Sequence, residues 1–255
     1  MYKLGLKLWS INTDYYYEEA VKLYNKGIFD YIELYAVPNT VNTIEKWQKI
    51  GIPFIIHCPH FMHGFNLAQA EKRESNFAIY QEVKQFADKL NAKYIIFHGG
   101  VDGDIKETAK QLATFKEPRA LLENKPMLAI PNRMGGNFCR GYNAEEITTV
   151  QKAASCGFCL DFGHAICAAN SLKKEVYTYC RDLLALGPKM FHLTDNTDIN
   201  SPYDTHPHLG QGQLDLEKIK QMLPQDAIIT LETDKDSKNN IDDFISDCNV
   251  MRKLK

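Results

Sequence analysis

Short β-type runs alternate with longer helical patterns along the whole chain, and this alternation constrains the fold more than any other feature. Short strands separated by helices must pair in parallel, because each crossover returns the chain to the same end of the sheet. The eight predicted strands are Lys3–Trp9, Tyr31–Tyr35, Pro53–His57, Tyr94–His98, Ala120–Glu123, Phe158–Asp161, Met190–Leu193 and Ala227–Glu232. Dividing the 255 residues by eight gives roughly 32 residues per unit, the size expected of a (β/α)8 TIM barrel.

Helical patterns fill the segments between these strands. The predicted helices are Tyr16–Lys26, Thr43–Lys49, Ala68–Leu90, Ile105–Phe115, a helix from about Ala144, Ser171–Leu186, Leu216–Met222 and Ile241–Met251. An open doubly wound sheet would use similar elements, but it needs a glycine fingerprint after an early strand, and the sequence has none. No long low-complexity linker divides the chain. We therefore predict one α/β domain, a TIM barrel that covers residues 1–255.

The composition indicates a soluble globular protein without an obvious partner. Basic and acidic residues nearly balance, 30 against 32, whereas a nucleic-acid-binding protein usually carries a basic face. A net charge of -2 does not exclude a local basic patch. No apolar run reaches membrane-spanning length, and Asp14, Glu18 and Glu19 follow the first strand too closely for a secretory signal. We expect a cytoplasmic protein with no membrane partner.

The seven cysteines do not indicate a disulfide framework, because their number is odd and they are spread along a long chain. Cys156-Gly-Phe-Cys159 has the spacing of a redox pair, but it straddles the start of the strand that ends at Asp161. We expect both sulfur atoms in the core or at the base of the barrel.

Residues that bind metals well end most of the predicted strands. In Gly157-Phe-Cys-Leu-Asp161-Phe-Gly-His164, an apolar run leads directly into a carboxylate, and an imidazole follows three positions later. Because the C-terminal strand ends of a barrel converge on one face, polar residues at these ends should meet. The nine residues concerned are His57, His98, Glu123, Asp161, His164, His192, Asp204, His206 and Glu232.

Nine imidazoles and carboxylates in one place would perturb one another severely unless cations neutralised them. Mixed histidine and carboxylate ligands suit zinc, and also manganese or iron. Taken alone, each residue has a plainer interpretation: a lone histidine is usually hydrogen-bonded, and Glu123 or Glu232 could pair with Lys or Arg. Their recurrence at nearly every strand end favours a metal site. His60, His63 and His208 lie in adjoining loops, where substrate contact and solvent exposure both stay open.

A series of motifs follows these positions in order. They are His57-Cys-Pro-His-Phe with Asn66-Leu67, Ile96-Phe-His98-Gly-Gly, Leu121-Leu-Glu123-Asn124, Cys159-Leu-Asp161-Phe-Gly-His164-Ala, Phe191-His192-Leu-Thr-Asp195, Asp204-Thr-His206 with Leu209-Gly-Gln-Gly212, and Leu231-Glu232-Thr233. The ordered series resembles the AP endonuclease family 2, the endonuclease IV-like proteins within the xylose isomerase-like barrel group. The resemblance extends from about Ile55 to Asp234.

The resemblance implies a site for up to three Zn²⁺ ions, with Mn²⁺ or Mg²⁺ as alternatives. By position, His57, His98 and Glu123 look like the ligands of a first metal. Glu123 would bridge to a second metal, whose other ligands are Asp161, His192 and Glu232. The remaining residues, His164, Asp204 and His206, look like the ligands of a third metal. Such a cluster activates water near neutral pH and binds phosphate oxygens, which favours phosphodiester hydrolysis.

We assign catalysis to the acids Glu123, Asp161 and Glu232. The candidate substrate contacts are His60, Asn66, Arg133 and His208. The substrate would be DNA with an abasic site, or a small phosphorylated or sugar substrate. The sequence does not indicate an oligomeric state.

The positions that would handle DNA match this family less well. The family's endonucleases tend to carry Tyr at the position of His60 and Arg at the position of Thr205. An arginine can pair with phosphate through two hydrogen bonds, which a threonine cannot do. The loop Lys125–Gly141 also does not resemble the family's sequence, and could be a substituted substrate loop.

Two further interpretations stay open. A sugar or keto-sugar isomerase or epimerase of the same barrel group would need one divalent ion, held by Glu123, Asp161, His192 and Glu232. The carboxylates of such a site also act as bases that move a proton beside a carbonyl. The other interpretation is a metal-binding barrel without enzymatic activity.

Overall fold

The computed structural model describes residues 2–254, so Met1 and Lys255 of the predicted domain lie outside the described residues. Eight parallel strands close into a barrel in chain order, and β8 pairs with β1. Their bounds are β1 Lys3–Trp9, β2 Tyr31–Tyr35, β3 Phe54–His57, β4 Ile95–His98, β5 Ala120–Glu123, β6 Gly157–Asp161, β7 Met190–Leu193 and β8 Ile228–Leu231. The predicted TIM barrel is confirmed, with every strand within one residue of its expected bounds.

Helices surround the barrel. They are α1 Thr13–Asn25, α2 Ile44–Trp47, α3 Arg73–Lys89, α4 Ile105–Phe115, α5 Ala144–Ala154, α6 Phe162–Ser171, α7 Val176–Leu184, α8 Leu216–Met222 and α9 Asp242–Lys253. Within residues 2–254, none of these helices is both long and apolar enough to cross a membrane.

Two predicted helices begin five residues away from where the structure places them, and the other helices differ by at most three residues at the ends that were predicted. The helix expected from Ala68 begins only at Arg73, after a short 3-10 turn. The helix expected over Ser171–Leu186 is wrong at its start, because Ser171 ends α6 and α7 begins at Val176. Almost all of α6 is buried, so it lacks the one-sided apolar pattern that reveals a surface helix.

Side chains alternate between the outside and the inside of the barrel along each strand. Outward residues such as Leu4, Leu6 and Leu8 join the core beneath the helices. An apolar layer fills the inside: Tyr31, Ile55, Ile96, Leu121, Cys159 and Met190. Two positions further along the same six strands, the inward residues are all polar: Glu33, His57, His98, Glu123, Asp161 and His192. Strand periodicity therefore places a layer of polar side chains directly above an apolar floor.

Gly5 makes room for Tyr31, one of the side chains in the apolar layer below the polar one. A Cβ atom at Gly5 would lie 2.3 Å from the ring of Tyr31, so only glycine allows that ring to sit inside the barrel. The Tyr31 hydroxyl is 2.8 Å from Thr230 Oγ1, which joins opposite parts of the sequence across β1.

All seven cysteines are buried and unpaired. Burial raises the pKa of the Cys156 thiol to about 11 and that of Cys159 to about 12. The thiolate is the reactive form, so both sulfur atoms are inert at neutral pH. Their expected place in the core is confirmed.

Candidate metal centre

The structure brings all nine predicted ligand residues to the C-terminal end of the barrel, and we call them the ligand cage. His57 Nε2 and His98 Nε2 both point at one oxygen of Glu123, at 3.0 and 3.1 Å from Oε2. The ligand atoms of these three residues lie within 4.8 Å of one another. They therefore form a first group that could hold a cation.

A second group shares Glu123 with the first. Ligand atoms of Glu123, Asp161 and His192 again lie within 4.8 Å of one another. His192 Nδ1 is 3.1 Å from Glu232 Oε1, so Glu232 adjoins the same group. Because Glu123 has an oxygen in each group, its carboxylate lies where a bridging ligand must lie.

A third group lies beside the loop after β7. Asp204 Oδ2 is 3.2 Å from His164 Nε2 and 2.8 Å from His206 Nε2. His164 belongs to the first turn of α6, which begins directly where β6 ends. Asp161 caps this helix, because its Oδ1 accepts a hydrogen bond of 2.7 Å from the His164 backbone nitrogen. The sharp strand-to-helix turn thus delivers Asp161 and His164 together.

Backbone carbonyls orient most of the cage imidazoles. Three of them donate from Nδ1: His57 to Cys58 O at 2.8 Å, His164 to Asn124 O at 3.0 Å and His206 to Glu232 O at 2.7 Å. A carbonyl only accepts, so Nδ1 must carry the proton and Nε2 is left to face the cage. Metal-binding histidines are usually held in this way.

Several buried polar atoms of the cage have no hydrogen-bond partner. Within residues 2–254 there are five such side-chain atoms, and four belong to the cage: Glu123 Oε1, Asp161 Oδ2, His192 Nδ1 and Asp204 Oδ1. A buried polar atom without a partner is costly unless something else satisfies it. The donor set, nitrogen and carboxylate oxygen, is the one that zinc accepts, so the residues fit a bound metal.

Three further charged residues, which the sequence did not single out, lie against the ligand cage. Lys7 on β1 and Glu33 on β2 point inward beside Glu232, and Lys125 follows Glu123. Glu33 is fully buried and Lys125 is 7% exposed. Their positions in the strands could have revealed Lys7 and Glu33. Each lies two residues before an inward-facing aromatic residue, Trp9 or Tyr35, in a strand whose alternate residues are apolar, so each must also face inward.

Mutual proximity shifts the pKa values of the cage in the metal-free protein. Burial lowers the pKa of His98 to about 3. Burial has the same tendency at His164 and His206, but neighbouring carboxylates outweigh it, Asp161 at the first and Asp204 at the second. Their pKa values rise to about 10 and about 9. Burial raises the pKa of Asp161 to about 6, and this carboxyl also faces Asp204 and Glu123.

Opposite charges do not balance within the site. Five carboxylates lie in or beside the cage, those of Glu33, Glu123, Asp161, Asp204 and Glu232. Of the residues that the structure describes, only Lys7 and Lys125 bring ammonium groups to it. With neutral imidazoles, three negative charges are left over. Protons on histidines can offset them, or divalent cations can.

A cavity of about 480 Å³ opens above the cage. Trp9, Tyr35, His60 and Phe61 line part of the cavity, and the Trp9 and Tyr35 rings stack with centroids 4.4 Å apart. Another part of the wall comes from the loop 125–141. An antiparallel bridge between Leu128 and Phe138 folds this loop back on itself, and a second antiparallel bridge joins Cys139 to Val101, which follows β4. The loop lines the cavity with Pro126, Leu128, Ile130, Arg133 and Met134.

The predicted substrate contacts divide into two pairs. His60 and Arg133 line the cavity, and the His60 ring stacks on that of His98 with centroids 5.5 Å apart. Among the described residues, Asn66 and His208 are not part of the cavity wall. Asn66 is held by both backbone groups of Val101, with its Nδ2 2.8 Å from the carbonyl oxygen, and His208 Nδ1 is 2.9 Å from Asp247 Oδ2. Geometry therefore favours structural roles for these two side chains.

These observations define a (β/α)8 barrel with a candidate metal centre at the C-terminal ends of its strands. The chain belongs to the xylose isomerase-like TIM barrel family, whose model matches residues 29–254.

Individual proteins are similar to this chain in sequence and in structure. A probable endonuclease 4 of Aquifex aeolicus is 27% identical over 224 residues, which cover 78% of this chain and 76% of that protein. Endonuclease IV from Thermus thermophilus superposes with a TM-score of 0.69 at 19% identity, covering 99% of this chain and 98% of that one. A D-tagatose 3-epimerase-like protein superposes with a TM-score of 0.67 at 18% identity, covering 99% and 96%. At these identities the two structures show the fold alone.

Proposed function

We propose that this protein is a metal-dependent phosphodiester hydrolase of the endonuclease IV type. The observation that carries the proposal is the ligand cage, in which four buried polar atoms have no hydrogen-bond partner. Its relatives in sequence support the same reaction class, because they are named as probable endonuclease 4 proteins.

The cage residues would hold up to three Zn²⁺ ions, or Mn²⁺ or Mg²⁺ in their place. We assign His57, His98 and Glu123 to the first position. The second has Glu123 as a shared ligand together with Asp161, His192 and Glu232, and the third has His164, Asp204 and His206. When bound, such metals supply a nucleophile near neutral pH and stabilise negative charge on phosphate oxygens.

Other side chains would bind and orient the substrate. The Lys125 ammonium reaches the cavity 3.0 Å from His164 Nε2, where it can bind a phosphate oxygen as a point charge. Arg133 is exposed at the cavity mouth and can contact a neighbouring phosphate. Glu123, Asp161 and Glu232 remain the candidate catalytic acids, since all three line the base of the cavity or adjoin it. The substrate class is DNA with an abasic site, or a smaller phosphoester.

A second candidate function is a sugar or keto-sugar isomerase or epimerase with one divalent ion at the second position. Two observations favour it: ammonium groups already neutralise part of the cage, and a cavity of about 480 Å³ suits a small ligand. It ranks second because it leaves the groups His57–His98 and His164–Asp204–His206 without a task.

The test compares metal content with two reactions. Purified protein is analysed for bound metals, then incubated with duplex DNA that carries an abasic site, with the same duplex intact, and with ketoses. We expect close to three zinc ions per chain and cleavage only at the abasic site. Activity should disappear after chelation and return with zinc. One metal ion per chain, together with proton exchange on a ketose and no DNA cleavage, would replace the first proposal by the second.

A further inference from the structure

Lys7 and Glu33 form a buried ion pair next to the proposed second metal position. Lys7 Nζ lies 2.5 Å from Glu33 Oε1 and 2.5 Å from Glu232 Oε1. The side chain of Glu33 is fully buried, and only 11% of each of the other two is exposed. This buried ammonium therefore joins a carboxylate outside the ligand cage to one inside it.

Glu33 uses its other oxygen to hold a ligand. Its Oε2 accepts hydrogen bonds from His192 Nε2 at 2.9 Å and from the Thr230 hydroxyl at 2.6 Å. Because Nε2 carries the proton, His192 Nδ1 keeps its lone pair, and this is the atom that faces Glu123, Asp161 and Glu232. A carboxylate behind a metal-bound imidazole fixes the ring and makes its free nitrogen a stronger ligand.

Lys7 acts on the other side of the same position. Ligand atoms of Glu33, His57 and Glu232 lie within 4.8 Å of one another, which makes them a further group that could hold a cation. The ammonium of Lys7 already bonds two of its three members. It also occupies Glu232 Oε1, the oxygen closest to His192 Nδ1, so this oxygen is shared between lysine and any metal at the second position.

We propose that Lys7 and Glu33 are positioning residues that set metal affinity at the second position, in opposite directions. Glu33 strengthens binding through His192, and Lys7 weakens it by holding Glu232 and by filling the neighbouring cation position. The proposal rests on the metal centre proposed above. It also explains why the pair is kept together, because a lone charge of either sign at this depth would be strongly destabilising.

The proposed role predicts that replacing Lys7 and replacing Glu33 change zinc affinity in opposite directions, whereas a purely structural role does not. If the pair only supported the fold, removing either partner would loosen the cage and weaken metal binding in both cases. With the proposed role, Lys7→Met tightens zinc binding at the second position by about tenfold or more, because a like charge is removed. Glu33→Gln keeps an acceptor for His192 but loses the charge, and weakens binding by about 10- to 100-fold.

Zinc affinity is measured by competition with a chromophoric chelator and zinc content by elemental analysis, for wild type, Lys7→Met, Glu33→Gln and the double variant. The double variant removes both charges at once, so neither is left buried alone, and we expect it to fold even where a single variant does not. We expect it to bind zinc more weakly than Lys7→Met. Lys3→Met, on the exposed start of the same strand, is the matched control and should bind zinc as wild type does.

Glu232→Gln tests the route of the Lys7 effect. In that background, Lys7→Met should tighten zinc binding less than it does in the wild type, since the part of the effect that acts through the shared Glu232 carboxylate is lost while the repulsion between ammonium and cation remains. Equal zinc affinity in wild type and Lys7→Met, or weaker binding in both single variants, would overturn the inference while leaving the metal centre intact. A wild-type protein that binds no zinc would instead overturn the metal centre itself.

Discussion

Replacing Glu123 by glutamine tests the centre of the proposed site. Its Oε2 faces His57 and His98, while Oε1 is 3.0 Å from His164 Nδ1 and 3.5 Å from Lys125 Nζ. Glutamine preserves the shape of the side chain but removes a negative charge that two metal positions share. We expect both positions to lose zinc together.

The structure indicates the size of this effect. Two unit charges about 4 Å apart interact by about 4 kcal/mol at an effective dielectric constant of about 20. Since each 1.4 kcal/mol changes an equilibrium tenfold, each position should weaken by about 1000-fold. The metal-free variant should also lose about 3–5 kcal/mol of stability, because the buried Lys125 ammonium keeps no adjacent Glu123 charge.

The assay measures zinc per chain at a buffered free zinc concentration, with circular dichroism as a check on folding. Glu145→Gln, on the exposed side of α5, is the matched control and should retain the wild-type zinc content. A loss of two equivalents agrees with a bridging carboxylate. A loss of only one equivalent from a folded protein would refute the bridge.

Four further predictions concern the histidines of the cage, Gly5 and Arg133. The pKa values of His164 and His206 are raised to about 10 and about 9, so both imidazoles are protonated at pH 7 without metal. Because zinc must displace these protons, zinc affinity should rise from pH 6 to 8, and calorimetry in two buffers should detect the protons released. The same shifts stabilise the metal-free fold below about pH 6.5, and this stability should be lost as the pH rises through 9 to 10, visible as a falling Tm. Gly5→Val should overpack the inside of the barrel and cost about 1–3 kcal/mol in urea unfolding, whereas Gly51→Ala, with open space around it, should not. Arg133→Ala should raise KM with little change in kcat; a selective loss of kcat would place Arg133 in the chemistry instead.

Most of the barrel was predictable from sequence because its strands have sharp limits. Apolar runs such as Ile55-Ile56 stop at a polar strand end, and the closed parallel pairing follows from the helices between them. The start of α7 was not predictable in the same way. The preceding helix α6 is buried on nearly every side, so its composition has no polar face to mark where one helix ends and the next begins.

The site residues at strand ends were predictable from the sequence, whereas the charged residues two positions before a strand end were not. Six of the nine cage residues lie together because they are at or next to the ends of strands that converge. The other three are His164, in the first turn of α6, and Asp204 and His206, in the loop after β7. Lys7 and Glu33 escaped notice since a charged residue inside a strand is normally solvent-exposed, and His192, the partner of Glu33, is 159 positions away in sequence. Asn66 belonged to a motif, but its hydrogen bonds to Val101 depend on how two loops meet, which no local pattern encodes.

The loop 125–141 separates the part of the protein that shapes the cavity from the part that carries the candidate metal ligands. It contributes a wall of the cavity, yet all nine cage residues come from elsewhere, mainly from rigid strand ends. Insertions, deletions or exchanges beyond Lys125 in this one segment can therefore alter what enters the cavity while the nine proposed metal ligands stay unchanged. Such a separation lets one scaffold acquire new substrates by replacing a single connection, without rebuilding the part of the protein that is hardest to assemble.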